Sequence, residues 1–195
     1  MKKIVFFMFL CINLYTLNAQ ELDSKLEKIS GKYVGEFTAF KYNNGQTEET
    51  VSWKDTVTTS APIATETSAY MNVTSEMVFN NPHIPPYKMQ FKEGFEQLKN
   101  EEIKHFIEVM GTKFYQIEVP NNTFIISQPI SKFELSQLGF TNAKEAYHTT
   151  VKVVVNKEGQ EVHNISRIST IKIDNDGKEE IVQFLSMKGH HTKIE

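Results

Sequence analysis

Tyr87-Lys88-Met89-Gln90-Phe91-Lys92 alternates apolar and polar side chains residue by residue. Successive side chains of a strand point to opposite faces, so this run reads as a strand with one apolar and one wet side. The pattern recurs in both directions along the chain. Val51, Trp53 and Val57 alternate with Ser52, Lys54 and Thr56, and Met71, Val73, Met77 and Phe79 share a face. Ile103, Ile107 and Val109 do the same, followed by Tyr115, Ile117 and Val119, then Val151, Val153 and Val155, then Ile181, Leu185 and Met187. Asn44-Gly45, Gly111-Thr112, Pro120 to Asn122, Lys157 to Gly159 and Asn175 to Gly177 break the runs at short intervals, as tight turns do. The expected fold is all-β, an up-and-down antiparallel β-barrel of about ten strands. Closure is expected because an open meander would leave two unpaired edges.

Two segments read as helix and one as loop. Leu22, Leu26 and Ile29 fall on one face at helical spacing, with Gly31 as the stop. Ser131 and Glu134 have capping-box spacing, which predicts a helix to about Leu138, stopped by Gly139. Thr141 is expected to begin a second short turn through Tyr147. Phe133, Leu138 and Phe140 would give the segment an apolar side, suited to a lid over one barrel mouth. Pro82, Pro85 and Pro86 make Asn80 to Pro86 an extended loop, since proline cannot serve in a central strand.

The 195 residues carry 21 Lys+Arg against 24 Asp+Glu, a net charge of −3. That mild acidity argues against a nucleic-acid partner. Met1-Lys2-Lys3, the apolar run Ile4 to Leu17, and Ala19-Gln20 have the three-part plan of a secretory signal peptide. The expectation is a signal peptide over residues 1–19, a single barrel domain over 20–195, and a periplasmic or extracellular product without a membrane span. Removing the signal also removes Cys11, the one cysteine, and with it any disulfide or thiolate chemistry.

Gly31-Lys32-Tyr33-Val34-Gly35-Glu36-Phe37, after a short helix and at the first strand, resembles the opening of calycin barrels. Lipocalins, fatty-acid-binding proteins and nitrobindin-like barrels carry a Gly-x-Trp variant there, and Tyr33 stands in place of the Trp. The resemblance implies a barrel with an apolar interior that carries small lipophiles or haem. In the nitrobindin-like group the haem-ligating histidine lies near the C-terminal end. His191 is the residue that would match.

The expected inward face holds Trp53, Tyr87, Met89, Phe91 and Tyr115, fit to line a ligand cavity. Arg167 is the sole arginine, set among isoleucines. Its planar fork could hold a ligand carboxylate in two parallel bonds, or pair with an internal acid such as Asp55. Asp55 and His105 share inward parity with their apolar neighbours and are the candidate proton carriers of an enzyme. No serine elbow, phosphate loop or dinucleotide glycine fingerprint occurs. The leading reading is a barrel that binds a small, largely apolar molecule, with or without a carboxylate. The alternatives are an enzyme on a similar substrate, a haem barrel with His191 as ligand, and an envelope interaction module with a packed core.

Overall fold

The alternating segments form strands, and the strands form one antiparallel sheet. The computed structural model describes residues 22–43, 46–65, 67–99, 102–140, 143–175 and 177–195. The expected signal peptide and the Asn44-Gly45 turn lie outside the described residues. Helix α1 covers 22–29. The strands are β1 Lys32–Asn43, β2 Gln46–Thr59, β3 Ile63–Ala64, β4 Ser68–Phe79, β5 Tyr87–Gln97, β6 Ile103–Val109, β7 Thr112–Tyr115, β8 Ile117–Val119, β9 Thr123–Pro129, β10 Ala143–Lys157, β11 Gln160–Asn175 and β12 Lys178–Lys193, with helix α2 at Lys132–Gln137. The described residues form twelve strands where about ten were expected, in the order β7-β6-β5-β4-β2-β1-β12-β11-β10-β9-β8, with β3 on β4. The fold is an up-and-down, nearly closed antiparallel barrel. The two strands that end this order, β7 and β8, are separated in the chain by Gln116 alone.

Two-residue hairpins set the register. Val109 pairs with Thr112 across Met110 and Gly111, at φ 50° and 80°. Lys157 pairs with Gln160 across Glu158 and Gly159, at φ 54° and 83°. Positive φ at both turn residues gives the twist that neighbouring strands require.

The chain forms two compact units. The first holds the described residues up to Gly31 with Thr58–Thr74 and Gln90–Tyr115. Its core contains Leu22, Leu26, Met71, Val73 and Phe106, each no more than 1% exposed. Burying each such side chain contributes about 1.5–3 kcal/mol. Gly94 lies so close to the Ala69 carbonyl and to Tyr70 that no side chain fits there.

The second unit holds Lys32–Val57, Ser75–Met89 and Gln116–Glu195. Directly opposed residues share a sheet face, so the pairings there read as rows. Gly35, His191, His163 and Val154 form one; Phe37, Gly189, Ile165, Lys152 and Phe124 the next. Ala39, Met187, Arg167, Thr150 and Ile126 follow, then Lys41, Leu185, Ser169, His148 and Gln128. Beyond Ser169 the β11–β12 register slips, because Thr170 pairs with Gln183 and leaves Phe184 without an opposite number. This bulge turns Phe184 into a core of Ile130, Leu135, Ala146 and Ile171. It also ends the alternation that grouped Ile181 with Leu185 and Met187, so Ile181 is 77% exposed.

Other expectations change near α2. The segment from Ala143 is strand β10, not a second helical turn, because it pairs with β11 from Ile173 onward. Leu135 provides the buried contact of α2, whereas Phe133 is 75% exposed and Leu138 also faces solvent. One half of the capping box forms: Ser131 Oγ accepts from the Glu134 N–H at 3.1 Å. The Glu134 carboxylate turns instead to His148.

Candidate functional site

The polar residues of the second unit gather on the face that carries Arg167. On β10 the apolar alternation of Val151, Val153 and Val155 marks the other face, since Val151 pairs with Ser166. His148, Thr150 and Lys152 therefore share the face of Arg167, among Ile126, Ile165 and Met187.

Arg167 Nε donates to Thr150 Oγ1 at 3.0 Å. Among the described residues no carboxylate lies within ion-pair distance of its guanidinium. Burial pulls its pKa below the ordinary arginine value, opposed by the charge of Glu134. An arginine remains charged even so. The site thus holds a partly desolvated cation without an adjacent anion.

Next to it stands a chain of polar contacts. Ser169, fully buried, meets His148 Nδ1 at 2.7 Å, and His148 Nε2 meets Glu134 Oε1 at 3.3 Å. Burial lowers the His148 pKa first, Arg167 lowers it further, and Glu134 works the other way.

A second cluster is built on β1, β2, β4 and β12. Asp55, 7% exposed, accepts from Ser75 Oγ at 2.8 Å and meets His191 Nε2 at 3.1 Å. His191 sets its ring edge against Phe37, 4.8 Å between centroids, and Phe37 stacks on Trp53 at 5.6 Å. Two glycines make room. At Gly35 a Cβ would stand 2.6 Å from His191 Cδ2, and at Gly189 2.6 Å from Phe37 Cγ. His163, opposite His191, meets Glu161 Oε1 at 2.7 Å and rests against Tyr33. Its pKa is lowered by burial and then by Lys152, against the pull of Glu161.

The structure thus brings Asp55, His191 and Trp53 together, and it joins Asp55 to His191 and Ser75 instead of Arg167. His191, the residue expected as a haem ligand, has Nε2 on Asp55 and its ring edge on Phe37. Trp53 also borders a shallow recess of about 210 Å³ with Glu36, Lys54 and Asn80. Tyr87 lies apart, 56% exposed, at the start of β5 beside the proline loop, and Met89 follows it half-buried. In the first unit, Phe91 is half-buried, and Tyr115 is 39% exposed with its hydroxyl on Glu96 Oε2 at 2.7 Å. His105 Nε2 lies 2.8 Å from Glu93 Oε1, its ring stacked on Phe95. Sequence reasoning missed His148, Thr150, Ser169 and Glu134. Their signal was the polar parity of β10, hidden beneath a run of valines.

No family model and no curated protein matches this chain. Among solved structures, an S-type phycobiliprotein lyase from Guillardia theta is similar over 93% of this chain and 97% of that one. The TM-score is 0.54 at 10% sequence identity, a likeness of fold. It supports the barrel fold.

Proposed function

We propose that this chain is an exported, calycin-like carrier that takes a small, largely apolar acid onto the face of Arg167. The observation that carries the reading is Arg167 itself: a partly desolvated guanidinium, bonded to Thr150 and flanked by Ile126, Ile165 and Met187. A partly buried cation with no carboxylate in contact is costly, and a ligand carboxylate would complete it with two charge-assisted bonds. Apolar neighbours suit the rest of such a ligand, whose burial would supply most of the affinity. The similarity to a phycobiliprotein lyase supports a small-molecule partner. Of the calycin-like groups, the lipocalin and fatty-acid-binding kind fits this reading best.

Calorimetry with decanoic acid and decan-1-ol tests it. The acid is expected to bind more tightly than the alcohol, and Arg167→Lys to weaken the acid about tenfold, since lysine cannot reproduce the fork. Unchanged acid affinity in Arg167→Lys would overturn the reading. Export is tested separately: the N-terminus of protein recovered from its host is expected at Gln20.

A further inference from the structure

Glu134 has left its helix cap to face the sheet. Its carboxylate reaches His148 Nε2 at 3.3 Å, a long contact for an ion pair, while Ser169 fixes the other ring nitrogen at 2.7 Å. In the pairing rows, His148 and Ser169 lie immediately beside Thr150 and Arg167. Glu134 is the anion that acts on Arg167, though it does not touch it. Its side chain is half exposed, and its helix of six residues holds to the sheet through one buried residue, Leu135. Such a carboxylate can yield Arg167 at little cost while it keeps His148. The charged groups that face His148 are Glu134 from α2 and Arg167 from β11. Strand β9 contributes the uncharged Gln128.

We propose that Glu134 is the built-in competitor of the ligand: an acidic headgroup displaces it as the counter-charge of Arg167, and His148 takes up a solvent proton as this happens. The inference rests on the ligand reading of Arg167 above. The arriving carboxylate takes Glu134's place at Arg167 while Glu134 keeps its contact with His148, so an anion is added beside the ring, and binding and protonation favour each other. Linkage makes that coupling reciprocal. A neutral ligand brings no such charge and feels no such coupling.

The test is calorimetry of the full chain with decanoic acid and decan-1-ol between pH 8 and pH 6, in buffers of different ionisation enthalpy. Decanoic acid is ionised throughout this range. Its affinity is expected to rise about fivefold or more on acidification, with net proton uptake, while decanol stays level. His148→Gln is expected to bind the acid with neither the pH slope nor the uptake. Glu134→Gln is expected to bind it about fivefold more tightly at pH 8. A slope that survives in His148→Gln, or an unchanged affinity in both Glu134→Gln and Glu134→Ala, would overturn the competitor role and leave the carrier reading standing. An Arg167→Lys protein that binds the acid normally would instead remove the reading beneath it.

Discussion

Replacing Gly189 by alanine tests how the aromatic cluster is seated. The added Cβ would stand 2.6 Å from Phe37 Cγ and would also overlap the Glu36 carbonyl oxygen. Ordinary carbon contacts lie at about 3.5–4.0 Å, so the ring must retreat by roughly 1 Å. It has nowhere to go, with Trp53 stacked on one side and His191 edge-on at another. Overpacking of this kind costs about 1–3 kcal/mol. For a chain of this size that is roughly 3–10 °C in Tm. Urea unfolding followed by the fluorescence of Trp53, the sole tryptophan, reads the loss as a lower midpoint at constant slope. Gly159→Ala is the control. That glycine has nothing within 4 Å and a φ of +83°, so alanine there loses backbone comfort alone, about 1 kcal/mol. In a Phe37→Ala background the cost of Gly189→Ala is expected to fall by about half, because the ring is gone and the carbonyl remains. If Gly189→Ala were as mild as Gly159→Ala, or if its cost ignored Phe37, the seating argument would be refuted.

Stability should fall on acidification. Burial holds both His148 and His163 below the ordinary histidine value of 6.5, so the unfolded chain takes up protons first as the pH drops. Their contribution is present above about pH 6.5 and is lost as the pH falls through it. A His148→Gln, His163→Gln double variant should show a flatter urea midpoint between pH 7 and pH 5, and an unaltered slope would contradict this. Asp55→Ala strands Ser75 and His191 in the interior and should cost about 3 kcal/mol; a loss below about 1 kcal/mol would mean the cluster is wetter than its geometry. Leu135→Ala should loosen α2, seen as faster amide exchange over residues 132–138. Unchanged protection there would show that another contact holds the helix.

The sequence disclosed the strands wherever one face was apolar and the other wet. Tyr87 to Lys92 and Met71 to Phe79 are of that kind. It also disclosed the inward turn of Asp55 and His191, because both follow apolar partners at period two. It failed where the face of interest is itself polar. On β10, Val151, Val153 and Val155 face away from Arg167, so apolar alternation pointed to the wrong side and passed over His148 and Thr150. A bulge is likewise silent in a pattern of twos, and Ile181 was grouped with Leu185 across one. Glu134 was hidden by a competing local rule: the capping box explained it fully from four residues of sequence, whereas His148, fourteen positions away, is its actual partner. Tertiary electrostatics drew off the reciprocal half of the capping box and left the Ser131 half in place.

Phe184 fills the core beneath α2 while pairing with no residue of β11. A chain lacking that single position could keep each β11–β12 couple in place, from Ser169 with Leu185 to Thr170 with Gln183, and lose the filling beneath Leu135. Length in β12 and filling of this core are therefore separable, so the protein can tune how tightly α2 is backed without re-threading a strand.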